Sequence, residues 1–330
     1  MQLCKRGYKI LVLDEPSKNT SSIIAAGLFN PITGKKMVKT WLADEIFPGL
    51  HRYYAEAERL TKRKFFHPMP LYRPFGTIEE QNEWMSRSAD KTYQNYILHI
   101  SASSCFKGKV NDPLGGITLK QTGYLNTTKY LEAVRDYLVT LGAFQPQIFV
   151  DDRLDIQENY VRYGKIIAQK IIFCQGVQNV SNRWFNNLPI KSLKGEALTV
   201  QSDWKKDVIL NRGVYMVPGT SEYEWRVGAT YNLKDTIPGI TPSARNELTE
   251  KLDNLIHVPY TITGQQWGVR PTTPDRKPIL GAHPKYSSLI IFNGLGTKGV
   301  SLAPYFSEVL VRSMENKGTI NKEADVTRYN

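Results

Sequence analysis

The chain is predicted to be an α/β plus α+β protein: a Rossmann-like nucleotide-binding domain, incomplete on its N-terminal side, interleaved with a mixed or antiparallel β-sheet substrate domain. Three observations in the 330-residue sequence predict this. Near the end, residues 289–292 read as a short buried strand, followed by Gly294, Gly296 and Gly299 in the spacing G-x-G-x-x-G and by a helix to about residue 313. Near the beginning, residues 8–14 read as a strand of the buried parallel type closed by Asp14, with Gly7 ending a short helix before it. Between these, residues 213–219 and 225–231 alternate in the manner of a β-hairpin, and residues 65–78 alternate aromatic and polar side chains with prolines.

Composition narrows the function classes. A hydrophobic share of 41% and a charged share of 22% are those of an ordinary globular protein. No apolar run approaches the roughly 18 residues that a membrane span needs, and the first residues lack a signal-peptide pattern. Cys4, Cys105 and Cys174 have no metal-ligand spacing and point to a reducing compartment. The expectation is a cytoplasmic protein with no membrane and no metal. The 43 basic against 31 acidic residues leave +12, which suits a polyanion such as RNA or an anionic substrate and cofactor. The densest cluster, Lys62-Arg63-Lys64, reads as a solvated face beside Glu56 and Glu58.

The two nucleotide-type signals differ in context. A first dinucleotide unit needs a second strand and an acid roughly 20 residues after its glycine loop. The C-terminal loop has neither, so it has the chemistry of a cofactor cradle outside that unit. Residues 8–14 instead look like the second half of a dinucleotide-binding unit, where a terminal acid such as Asp14 holds a ribose hydroxyl, or is simply a turn acid before Pro16. The first strand and its glycine loop would then precede Met1. Ser21-Ser22-Ile23-Ile24-Ala25-Ala26-Gly27 follows, with the small residues of a tightly packed helix N-terminus.

The remaining elements follow in order. Residues 41–60 and 79–91 read as helices, and 96–100 as a strand in which His99 is a structural histidine. Residues 115–117 start a strand, and 123–127 cap an amphipathic helix over 128–141 with Tyr130, Leu131, Val134, Tyr137 and Leu138 on one face. Residues 147–150 pair with 165–168, and 170–176 form a buried strand ending at Gly176. Cys174 is not read as a nucleophile, since no base is near it in sequence. Residues 243–256 form a helix.

Two long segments carry a resemblance. The strand ending in Asp14 with S-S-x-x-A-A-G-x-x-N-P after it, and Gln266-Trp267-Gly268-Val269-Arg270-Pro271-Thr272-Thr273-Pro274-Asp275 running on to Gly281, resemble the D-amino-acid oxidase and glycine oxidase family of FAD-dependent oxidoreductases. The stretch Asn30-Pro31-Ile32-Thr33-Gly34-Lys35-Lys36 resembles in particular the FAD module of a bifunctional enzyme that builds methylaminomethyl-uridine in tRNA.

This resemblance implies FAD as cofactor, held by Asp14, Ser22, Ala25, Ala26, Gly27, Gly176, Gly294, Gly296, Thr297, Lys298 and Gly299. It implies Arg270 as the clamp on a substrate carboxylate, because a guanidinium meets a carboxylate in two parallel hydrogen bonds. The last loop and its helix would stabilise negative charge on the reduced flavin, with Lys298 adding charge. The implied reaction is oxidation of a C–N bond in a small amino acid or N-substituted glycine by hydride transfer to flavin. The alternatives are a tRNA-modifying flavoenzyme and a truncated, flavin-less binding or scaffold protein. The resemblance also implies that residues 188–200 cross into the substrate layer with a turn at Lys194-Gly195-Glu196. The expected domains are 1–45, 121–187 and 266–330 for the cofactor, and 46–120 and 188–265 for the substrate.

Overall fold

The computed structural model describes residues 1–15, 20–34, 36–205, 207–235 and 237–329, so Pro16 and Lys35 lie outside the described residues. An eight-stranded sheet runs through the middle of the molecule. Its order is Thr261–Thr272, Lys191–Gln201, Glu224–Gly228, Val214–Pro218, Ile209–Arg212, Leu71–Pro74, Gly116–Leu119, Ile97–Ser101. Neighbours are antiparallel except Ile209–Arg212 beside Leu71–Pro74.

The two-residue period of these strands sorts their side chains between two faces. On one face Leu198, Val200, Met216, Trp225 and Val227 pack with Leu248 and Leu252 of the helix Pro242–Asp253. Each such side chain contributes about 1.5–3 kcal/mol on burial. The opposite face divides in two. Leu71, Ile117, Leu119, Ile209 and Val217 join a second core that includes Ile46, Phe47 and Leu50 of the helix Ala43–Thr61 and Leu302 and Phe306 of the helix Gly299–Met314. Nearer the other edge this face carries Gly195, Ala197, Gly228 and Gly268 along the paired strands, which leaves the sheet bare between the side chains of Tyr215, Arg226 and Arg270.

A second layer holds the nucleotide-type strands. Val12–Asp14 pairs in parallel with Phe144–Pro146, and Ile171–Phe173 pairs in parallel with Leu289–Asn293, which is antiparallel to Ile279–Ala282. Among the described residues these two groups share no ladder hydrogen bonds, although Leu13 packs on the cluster containing Phe173. The short helix Gln2–Lys5 ends before Gly7, which has φ 77° as expected for that position.

Several expectations need correction. The first strand is three residues rather than seven, because Tyr8 and Leu11 are 41% and 40% exposed and find no ladder partner. Residues 147–150 form no strand with 165–168. The amide of Val150 instead donates to the hydroxyl of Tyr163, 3.1 Å away, and Phe149 stacks on the Tyr163 ring. Ile166–Ala168 belongs to a separate meander with Leu154–Ile156 and Val161–Tyr163. Lys194-Gly195-Glu196 lies inside the eleven-residue strand Lys191–Gln201 and is no turn. In the helix Thr127–Thr140, capped by Asn126 through the amide of Lys129, Ala133 takes the core position and Leu131 faces outward. His99 is exposed on a strand. The strand Thr261–Thr272 runs unbroken across residue 266, the expected edge of the cofactor domain.

Candidate active site

The bare part of the sheet is where the site forms. The short helix Ser21–Ile24 lies on it, and a Cβ at Gly268 would meet Cβ of Ile24 at 3.3 Å and Cα of Ser21 at 3.5 Å. Between helix and sheet is a cleft lined by Ser21, Ile24, Ala25, Ala197, Tyr215 and Arg270, among others. The floor is glycine because the functional side chains lie across it.

Arg270 is the first of these. A Cβ on Gly195 would sit 2.1 Å from its Nη1, so the guanidinium lies directly over that glycine. The ring of Tyr231 covers the guanidinium, with Cζ 5.3 Å from the ring centroid. Nη1 is buried and has no hydrogen-bond partner among the described residues. A buried charged donor left unpaired is costly, and a carboxylate in the cleft would satisfy it.

Tyr215 is the second. Its hydroxyl would be 2.6 Å from a Cβ on Gly228. Burial pushes that hydroxyl up to about 12 against the pull of Arg270, so at neutral pH it is a neutral donor. The acid of the same region, Glu196, points to the other face, where it accepts from the amide and hydroxyl of Thr241 and from Gln265 at 2.7–2.9 Å.

The glycine loop closes one side. The amide of Gly296 donates to the carbonyl of Pro271 at 2.8 Å, which fixes the loop against the residue after Arg270. Asn293 ties the loop to Gly176 through Nδ2, which donates to the Gly176 carbonyl at 2.9 Å. The following helix, Gly299–Met314, is 16 residues long and starts without a side-chain cap. Among the described residues the amides of Thr297, Gly299 and Val300 have no hydrogen-bond partner. These free donors carry the positive end of the helix dipole. Lys298 turns inward, with Nζ 3.4 Å from Oγ1 of Thr40. Burial, and then the charge of Arg276, hold its amine below the usual lysine range.

The other sequence-derived residues divide. The Ala25 carbonyl accepts from Nη1 of Arg226 at 2.9 Å and from Oγ1 of Thr127 at 3.1 Å, which anchors the Ala25-Ala26-Gly27 bend. Gly27 has φ 74° and a Cβ there would lie 1.8 Å from the carbonyl oxygen of Leu125, so no other residue fits without moving the chain. Gly176 has φ 59° and open space beside it, with Pro271 Cγ at 3.9 Å the nearest atom. Asp14, Ser22 and Thr297 are exposed, and Ser21 rather than Ser22 lines the cleft. Sequence reading missed Tyr215, Arg226, Tyr231 and Thr40. The hairpin alternation held a signal for two of them, since Tyr215 and Arg226 sit opposite to the Met216, Trp225 and Val227 core positions.

These residues fit a flavin at the loop end. The unpartnered amides and the inward lysine are the donor set that a ring developing negative charge requires, and the loop is tied through Gly296 to Pro271, next to the Arg270 that lines the cleft. Among the described residues no group of three or more His, Cys, Asp and Glu side chains could hold a metal. No helix is long and apolar enough to cross a membrane among those residues.

A family model described as DAO, FAD dependent oxidoreductase, matches residues 1–313. The tRNA 5-methylaminomethyl-2-thiouridine biosynthesis bifunctional protein MnmC of Legionella pneumophila is 22% identical, with 98% of this chain and 52% of that protein covered. The bifunctional protein ThiO/ThiG of Synechocystis is 24% identical, with 92% and 47% covered. The chain thus spans about half the length of these curated relatives. Among solved structures, glycine oxidase from Geobacillus kaustophilus superposes with a TM-score of 0.77 at 16% identity, covering 100% of this chain and 93% of that one. Iminodiacetate oxidase from Chelativorans sp. BNC1 superposes with a TM-score of 0.77 at 17% identity, covering 99% and 94%.

Proposed function

Because the chain belongs to the DAO family of FAD-dependent oxidoreductases, we propose that it oxidises the C–N bond of a small amino acid or an N-substituted glycine. The observation that carries this reading is the buried, unpartnered Nη1 of Arg270 above the glycine floor. A fork of donors there binds a carboxylate in two parallel hydrogen bonds and fixes the carbon next to it. The neutral hydroxyl of Tyr215 donates a further bond to the same group. Tyr231 covers the guanidinium and limits water around it. A substrate bound as the neutral amine needs no side-chain base, in keeping with a cleft whose one acid, Glu196, turns away.

FAD, when bound, would supply the acceptor for a hydride from the carbon beside the nitrogen. Gly294, Gly296, Thr297, Lys298 and Gly299 would hold it from the loop, and Ser22, Ala25, Ala26 and Gly27 from the helix Ser21–Ile24 and the bend after it. Asp14 and Gly176 would hold the nucleotide end. Lys298 and the free amides of the helix start would stabilise negative charge on it.

The experiment is turnover of FAD-loaded protein on a panel of amino acids, N-alkylglycines and their methyl esters with an artificial electron acceptor. Turnover of free acids and not of esters is expected. Equal turnover of amines that lack a carboxylate contradicts the reading.

A second reading rests on the MnmC relatives that align with 98% of the chain and on the net charge of +12: oxidation of an N-carboxymethyl group carried by tRNA. It predicts tRNA binding that falls steeply with salt, as phosphate contacts require. Binding that is weak and indifferent to salt removes it.

A further inference from the structure

The sheet face that carries Arg270 also carries a second arginine. Across the strands, Ala197 lies opposite Gly228, and Gly228 opposite Tyr215. One step along the same face, Thr199 lies opposite Arg226, and Arg226 opposite Val217. Residues two apart on a strand share a face, so Arg226 flanks the Tyr215 hydroxyl on the side away from Arg270. The charges of both arginines act on that hydroxyl.

Arg226 is half-buried, and its recorded hydrogen bonds are from Nη1 alone, to the carbonyls of Ala25 at 2.9 Å and Ile24 at 3.5 Å. A guanidinium has five N–H donors. Among the described residues no carboxylate lies within ion-pair distance of Arg226, Arg270 or Lys298. Glu196 has its hydrogen bonds on the far face. Leaving Lys298 to the flavin, two guanidiniums therefore flank the Tyr215 hydroxyl with no ion-paired carboxylate among the described residues. Such an arrangement favours a ligand with more than one negative group, since each desolvated cation left without a partner costs free energy.

We propose that the substrate is a dianion, an amino acid whose nitrogen carries a second acidic substituent, and that Arg226 binds that second group while Arg270 binds the first. This rests on the oxidase reading above and narrows it from small amino acids in general to N-(carboxyalkyl) amino acids and related dianions. Arg226 is then a specificity-determining residue. Its tie to the Ala25 carbonyl places the guanidinium between the Ala25-Ala26-Gly27 bend and the Tyr215 hydroxyl.

The test uses two ligands that cannot be oxidised at nitrogen, oxydiacetate as the dianion and methoxyacetate as the monoanion. Each is titrated into FAD-loaded protein, with binding read from the bound flavin's visible spectrum and, independently, by calorimetry. Wild-type protein is expected to bind oxydiacetate about ten- to a hundredfold more tightly, the worth of one charge-assisted contact. In Arg226→Met that ratio falls to near one, and Arg226→Lys recovers part of it. A wild-type ratio near one overturns the proposal. So does an Arg226→Met variant that weakens both ligands in proportion, because Arg226 is then only a strut for the Ala25 bend. If the oxidase reading itself fails, neither ligand binds and Arg270→Ala changes nothing, a pattern distinct from the loss of preference alone.

Discussion

The guanidinium of Arg270 occupies the volume that a side chain at Gly195 would need, with Nη1 and Nη2 at 2.1 and 2.4 Å from a Cβ built there. The glycine and the arginine are 75 residues apart in the chain (270 − 195) but lie on adjacent strands. Gly195→Ala should therefore push the guanidinium off its seat while leaving the backbone in place, because the obstructing atoms are the end of a flexible side chain. The expected result is a rise in KM for carboxylate substrates of about ten- to a hundredfold, from the lost charge-assisted contacts. The thermal midpoint should hardly move. A large drop in midpoint with an intact KM would show that Gly195 serves packing rather than the arginine.

Arg270→Lys keeps the charge and removes the fork. A point charge on a flexible stem does not reproduce two parallel hydrogen bonds. The variant should lose about tenfold or more in kcat/KM, and free guanidinium-type cations added to Arg270→Ala should restore part of the loss. Steady-state kinetics on both variants decide this.

Gly27→Ala tests the bend that positions the cofactor. At φ 74°, with the Leu125 carbonyl oxygen 1.8 Å from the new Cβ, the obstruction is backbone and cannot rotate away. A loss of roughly 2–4 kcal/mol is expected on chemical denaturation, or misfolding if the margin is smaller. A substitution tolerated within about 0.5 kcal/mol would mean the bend is not built as described.

Acidification should destabilise the fold through His51 and His67. Burial lowers both below the ordinary histidine value of 6.5. His51 lies edge-on to Phe66 at 5.2 Å, and His67 stacks on Tyr124 at 4.7 Å. With folded values depressed, the unfolded chain binds more protons in the window just below 6.5, so stability falls as pH falls through it. His51→Leu should flatten the change in midpoint between about pH 7.5 and about pH 5.5. An unchanged slope would assign the acid sensitivity to the carboxylates.

Much of this was legible in the sequence, and what was legible was local. The glycine loop and the helix after it, the capped helix Thr127–Thr140 and the Arg270 segment each announce themselves within a dozen residues. Tyr215 and Arg226 do not. Their role depends on a row across four strands, Gln266, Ala197, Gly228 and Tyr215, drawn from positions far apart in the chain. Alternation says that Tyr215 faces away from Met216, but not what it faces.

The misread pieces have equally physical causes. At residues 147–150 the backbone found a side-chain partner, the Tyr163 hydroxyl, in place of a strand. In the helix Thr127–Thr140 an apolar stripe was read too wide, and the smaller Ala133 packs where Leu131 was expected. The strand expected over 8–14 shrinks to Val12–Asp14 because burial reaches only its last residues.

The measurement that bears most directly on the central claim is anaerobic mixing of FAD-loaded protein with N-substituted glycines, followed by the bleaching of the flavin's visible band. Wild-type protein should bleach in a single saturable phase, and Arg270→Ala should bleach far more slowly at the same concentration, with the deficit relieved at high substrate. Bleaching that is equally fast in Arg270→Ala, or absent in wild-type protein with every carboxylate-bearing amine, would contradict the account.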